Sequence, residues 1–201
     1  VMPLDLEITL DYMGISAVEA WGLFQKSHPA LLSGDRQVDF YGDSHPAGEM
    51  PNAIKQKGKP HFVVKVGDAE LDYIPVGGSN LQLGIVEGCV DGFNDAWAWT
   101  DPFTRSEAFR CARLYDHEYE YWQNAYDPLQ YTAVGRSYEG LPMKSNELPF
   151  PLEQQIIDTS QNPGRRVLRD GYVEAVGSVM WLGEQFWPLT GASKQAVLAA
   201  D

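Results

Sequence analysis

The stretch His61-Phe62-Val63-Val64-Lys65-Val66-Gly67-Asp68-Ala69-Glu70-Leu71-Asp72-Tyr73-Ile74 decides the fold class. Phe62 to Val66 and Ala69 to Ile74 are rich in β-branched and aromatic residues. Between them, Gly67-Asp68 is a two-residue turn in which glycine supplies the positive φ of a tight hairpin. Upstream, Leu6, Ile8, Leu10 and Tyr12 alternate with Glu7, Thr9 and Asp11, which predicts a strand with one face in the core. Downstream, Leu81 to Val90 predicts a third strand interrupted at Gly84 and Gly88, and Trp97 and Trp99 are placed on a fourth short one. Strands come early and in pairs, without regular alternation of strand and helix. That order favours an α+β fold, an antiparallel sheet with a few flanking helices, over a doubly wound α/β fold.

Two helix starts carry a capping-box signature. Ser16-Ala17-Val18-Glu19 opens a helix whose face is Val18, Trp21, Phe24 and Gln25 and which ends at His28-Pro29. Thr104-Arg105-Ser106-Glu107 is expected to open a second, running to about Ala125 with Ala108, Ala112, Tyr115, Tyr119, Trp122 and Tyr126 on one face. Residues 33–60 read as loop, with one short strand near Val38 to Tyr41, and the proline-bearing stretch 127–165 reads as an irregular crossover. Leu152 to Asp158 fits a short strand or a helix. From Val167 to Trp187, Val173, Val176 and Met180 suit a helix while Gly171, Gly177 and Gly183 suit interrupted strands, so that segment stays open. Ser193 is positioned to cap a last short helix.

A chain of 201 residues fits one domain and can bury a sizeable core. Val1 ahead of Met2 points to a native start at Met2, and the acidic stretch that follows lacks the basic n-region and apolar run of a signal peptide. No stretch reaches the ~18 uninterrupted apolar residues of a membrane span, so a cytoplasmic protein is expected. Cys89 and Cys111 read as reduced thiols of a reducing compartment.

Charge is the unusual quantity. Against 28 Asp and Glu stand 15 Lys and Arg, a net charge of −13. Such a surface repels phosphate backbones, so direct binding of nucleic acid is disfavoured and a basic partner is favoured. The excess concentrates in residues 61–130, with 12 acids against 4 bases. From Asp68 to Asp101 there are seven acids and no Lys or Arg. Asp116 and Glu120 add a like-charged pair one helical turn apart. Phe93, Trp97, Trp99, Tyr115, Tyr119, Tyr121 and Trp122 are interleaved with these acids. Complementary charge speeds encounter, and exposed Trp and Tyr are common interface anchors. The partner-binding set read from this pattern is Glu87, Asp91, Asp95, Trp97, Trp99, Asp101, Asp116 and Glu120.

Catalytic signatures are not found. The chain has no Gly-x-Ser-x-Gly elbow and no phosphate loop, and Gly77-Gly78-Ser79 reads as a plain strand-joining turn. Asp116-His117-Glu118 sets three ligand types side by side, but adjacent helical residues point apart, so neither a metal nor another cofactor is expected. Arg165, Arg166 and Arg169 form a small basic run expected to pair with the chain's own acids.

The segment Gly171-Tyr172-Val173-Glu174-Ala175-Val176-Gly177-Ser178-Val179-Met180-Trp181-Leu182-Gly183-Glu184-Gln185-Phe186-Trp187-Pro188-Leu189-Thr190-Gly191, with the size and acidity, resembles bacterial toxin-immunity proteins of type VI and contact-dependent secretion systems. It is similar to the immunity protein 52 group, whose members accompany toxins of a restriction-endonuclease-like nuclease class. The resemblance implies a non-enzymatic protein that binds a cognate toxin and blocks its active site. Two rival classes are a small hydrolase using paired carboxylates such as Asp91 and Asp95, and an adaptor or chaperone of a secretion system.

Overall fold

The alternating N-terminal segment forms β1 (Leu4–Asp11) in the computed structural model, which describes residues 4–12, 14–86 and 89–199. The proposed start at Met2 lies outside the described residues. The strand differs from expectation in one respect, because both of its faces are buried. Leu6, Ile8 and Leu10 face the core, and Asp5, Glu7 and Thr9 on the opposite side are buried as well.

The chain then forms α1 (Ala17–Ser27), β2 (Gln37–Phe40), β3 (Asp43–Pro46), a short 3-10 turn and α2 (Met50–Lys57). Ser16 caps α1 as its capping box predicts: its hydroxyl accepts the Glu19 N–H, and the Glu19 carboxylate accepts the Ser16 N–H at 2.7 Å. The expectation of loop over 33–60 misses β3 and α2. That helix buries only Met50 and Ile54, a single i,i+4 pair inside a polar segment, before Gly58 ends it in a left-handed conformation.

The deciding hairpin is β4 (Phe62–Val66) and β5 (Ala69–Val76), with Gly67 at φ +62°. β6 (Asn80–Val86) follows and runs through Gly84 without a break, while the break expected at Gly88 lies outside the described residues. The Gly77-Gly78-Ser79 turn joins these two strands, as expected. Gly78 is at φ +66°, and a Cβ there would meet the Arg169 carbonyl at 2.6 Å, so only glycine fits.

Two expectations fail in the next segment. Trp97 and Trp99 lie on helix α3 (Gly92–Thr104), and the expected helix over 104–125 divides into strand β7 (Phe109–Asp116) and helix α4 (His117–Asn124), of eight residues each. Thr104 ends α3, and Arg105 to Ala108 form a turn in which Ser106 accepts the Ala108 N–H. β7 is buried on both faces, which removes the polar alternation that marks a half-buried strand.

The remaining elements are short: α5 (Pro128–Thr132), β8 (Met143–Ser145), β9 (Gln155–Ile157), β10 (Val167–Arg169), β11 (Tyr172–Glu174), β12 (Val179–Leu182), α6 (Phe186–Thr190) and α7 (Lys194–Leu198). Ser193 caps α7 as expected, accepting the Ala196 N–H.

Among the described residues, eight strands make one antiparallel sheet in the order β12-β7-β1-β6-β5-β4-β2-β3, so the protein is α+β. One sheet face, with Leu6, Ile8, Leu71, Leu83 and Leu114, packs under α1, α2 and α3. Over β1 and β7 the opposite face is covered by α4, the segment around Arg166 and the β10–β11 hairpin. No helix among the described residues is long and apolar enough to cross a membrane.

Candidate partner-binding surface

α3 buries Ala96, Trp99, Thr100 and Phe103, a stripe at spacings of three and four. Its outward stripe is Phe93, Trp97 and Asp101. Phe93 is 54% exposed and Trp97 39%. The indole of Trp181 on β12 stacks with both, its ring centroid 5.8 Å from Phe93 and 6.1 Å from Trp97 and the planes within 30° of parallel. The three rings form a stacked aromatic surface where the sheet ends at β12. Each such pair is worth ~0.5–1.5 kcal/mol beyond area burial, so the stack is a preformed feature and not three independent side chains.

The acids of α3 are placed unequally. Asp91 is exposed at the N-terminus of α3, and its N–H donates to Asp95 at 2.9 Å. The other Asp95 oxygen bonds His28 Nε2 at 2.7 Å. Both oxygens of Asp95 therefore staple α3 to its own start and to the end of α1. Asp101 pairs with Arg105 at 2.9 Å, but Arg105 is 79% exposed. A solvent-facing pair of this kind contributes at most ~1 kcal/mol and yields readily to a stronger partner.

The structure divides the sequence-derived set. Trp97 and Asp101 stay together on the outward side of α3, while Asp91 is exposed at the helix N-terminus beside Asp95. Trp99 is only 2% exposed, stacked on His28 at 3.7 Å and edge-on to Phe24, so it belongs to the core. Asp116 and Glu120 lie on the other face of the sheet. Asp116 caps α4 through the Tyr119 N–H at 2.6 Å. Glu120 grips the buried Arg113 with two hydrogen bonds of 2.9 and 2.6 Å. Arg113 also bonds Glu7 at 3.2 Å, and Glu7 takes Arg166 at 3.0 Å. Burial works to lower the Arg113 pKa, but Glu120 and Glu7 outweigh it and hold the guanidinium above its ordinary value. Burial, with Glu7 and Asp5 nearby, likewise pushes the Tyr115 phenol up. Glu87 lies outside the described residues.

Two members of the surface escape the sequence-derived set. Phe93 sits one turn before Trp97, a spacing that a helical reading of 92–104 exposes. Trp181 joins through the β7–β12 pairing, for which no local signal exists. The basic run behaves as expected at two positions, with Arg166 on Glu7 and Arg169 on Glu174. Among the described residues no three His, Cys, Asp or Glu side chains gather closely enough to hold a metal ion.

Comparison of the chain with protein-family models, with curated proteins and with solved structures finds no match.

Proposed function

We propose that this protein binds and neutralises a cationic partner protein, as a bacterial toxin-immunity protein does, and carries out no reaction of its own. The observation that carries this reading is the Phe93–Trp181–Trp97 stack, with Phe93 and Trp97 exposed and Asp101 one turn beyond Trp97, on a molecule of net charge −13. Exposed aromatic rings supply hot-spot area, and the negative field of the molecule raises the rate of encounter with a positive surface. A nuclease domain fits as partner, because a protein that holds phosphate backbones presents cationic groups around its active site. Carboxylates seated there would cover that site.

The test pairs this chain with the protein encoded by the adjacent gene, by co-expression and by calorimetry. The reading expects rescue of growth and a complex whose association slows as salt rises. Trp97→Ala should weaken binding about 30-fold, the scale of a hot-spot residue. No complex at micromolar concentration together with no rescue would falsify the reading.

A further inference from the structure

We propose that the tip of the β8–β9 hairpin, residues 146–154, is a preformed apolar plug that seats Phe150 in an apolar, cation-rimmed pocket of the partner. This inference rests on the reading above and adds a second contact to it.

The tip reads Asn146-Glu147-Leu148-Pro149-Phe150-Pro151-Leu152-Glu153-Gln154. Leu148, Phe150 and Leu152 are 50%, 92% and 59% exposed, so the Phe150 ring is almost wholly in water. A ring held out in this way contributes nothing to the chain's own core and is available in full to another surface.

The tip is nevertheless well defined. Asn146 ties it together: its side-chain oxygen accepts the N–H groups of Leu148 and Gln154 at 3.2 and 3.1 Å, and its amide donates to the Leu152 carbonyl at 3.0 Å. The Asn146 N–H reaches the Gln154 carbonyl, and the Leu152 N–H reaches the Pro149 carbonyl, both at 2.9 Å. Glu147 is held at φ +60°, with its N–H on the Ser145 hydroxyl. Pro149 and Pro151 restrict the backbone on both sides of Phe150. The base is anchored: Ile157 is buried with Ala125 and Tyr131, and Lys144 pairs with Asp158 at 2.9 Å. Ordering a loop on binding lowers affinity, and here most of that ordering precedes binding.

Charge selects the occupant. Glu147 and Glu153 flank the apolar tip, and no Lys or Arg occurs from residue 145 to residue 164. Such a rim is repelled by an anionic bilayer and by a second copy of this acidic chain, and it matches a pocket lined with Lys or Arg.

The experiment measures Kd and dissociation rate for the complex with the protein encoded by the adjacent gene, using wild type, Phe150→Ser and Trp97→Ala. Phe150→Ser is expected to raise Kd about 30-fold or more, mainly by faster dissociation, with the melting temperature of the free protein unchanged. A change below about threefold, on the same hot-spot scale, overturns the plug. Failure of the wild-type protein to bind at all instead removes the functional reading on which the plug rests, so the two failures are separate results. Two controls use the free protein. Binding to phosphatidylcholine–phosphatidylglycerol vesicles that Phe150→Ser abolishes, or self-association in sedimentation that it abolishes, assigns the tip to a different occupant and overturns the proposal.

Discussion

Replacing Glu120 by glutamine separates a structural role for this carboxylate from the partner-binding role that its sequence position suggests. Arg113 is 3% exposed and Glu120 14%, so their two hydrogen bonds form in a largely water-free site. Opposite unit charges ~4 Å apart attract by ~4 kcal/mol at an effective dielectric constant near 20. Glutamine keeps an acceptor but loses that attraction, and Arg113 retains only Glu7, which it shares with Arg166. With charge-assisted hydrogen bonds worth ~1.5–3 kcal/mol each, the expected net loss is ~2–3 kcal/mol. Arg113→Met is expected to cost more, ~3–5 kcal/mol, because it leaves Glu120 as an unpaired charge beside Glu7. Adding Glu120→Leu to Arg113→Met should recover part of that loss, since both members of the pair are then gone and Glu7 keeps Arg166.

Urea unfolding followed by circular dichroism at pH 7 reads these differences. At a slope near ~2 kcal/mol/M, Glu120→Gln should lower the midpoint by about 1–1.5 M. The shift should persist in 1 M NaCl, because a buried pair is screened far less than an exposed one. A Glu120→Gln protein within ~0.5 kcal/mol of wild type, or a difference that vanishes in high salt, refutes the buried network and returns Glu120 to the surface available to a partner.

Three further outcomes are expected. Ser16→Ala should cost ~1 kcal/mol at pH 7 by thermal unfolding. The Glu19 carboxyl is held below its ordinary 4.5, chiefly by the Ser16 N–H and then by its hydroxyl, so its capping contribution is present above pH 4.5 and is lost as pH falls beneath it. The stability gap between Ser16→Ala and wild type should therefore narrow in acid. Burial raises the Cys111 thiol to about 11, so a disulfide reagent at pH 8 should leave Cys111 unmodified in the folded protein and modify it once urea unfolds the chain. Asp158, bonded first by Lys144 and then by Ser160, has its carboxyl held at about 2. Its stabilisation of the β8–β9 hairpin is present above the ordinary 3.8 and lost as pH falls through about 2; carboxyl NMR should show Lys144→Ala moving the titration back up toward 3.8.

The parts of the fold legible in the sequence are those whose cause is local. Gly67-Asp68 sets a hairpin by backbone conformation alone, and Ser16 with Glu19 starts a helix through hydrogen bonds three residues apart. Legibility ends where tertiary burial overrides the pattern. Residues 109–116 carry Ala112 and Tyr115 at helical spacing from Ala108, yet they form a strand because α3 covers one face and the β10–β11 hairpin and α4 cover the other. Trp97 and Trp99 look like strand neighbours only if Phe93, Ala96 and Phe103 are ignored; with them, the same residues form two stripes of a helix. Trp181 and the Phe150 tip are illegible for another reason. One depends on which strand becomes the sheet edge, and the other on a hydrogen-bonded loop in which an apolar residue stays outside.

The acidic set separates two properties that sequence alone merges. Where a carboxylate points is a local matter, and there Glu120, Asp116 and Asp95 prove to serve the fold. The field of the whole molecule is a sum, and internal pairing leaves it unchanged. Glu7, Arg113, Glu120 and Arg166 cancel among themselves, so the net −13 is carried entirely by the other groups. Steering of a cationic partner depends on that sum, at distances of about a Debye length, whereas the lifetime of the complex depends on what lies in contact. The two should respond to different substitutions. Removing exposed acids such as Asp91 should slow association and flatten its salt dependence, while Trp97→Ala should leave association nearly unchanged and speed dissociation. A Trp97→Ala protein that lost its affinity through slower association would mean that the aromatic stack acts by shaping α3, and that the contact surface lies elsewhere.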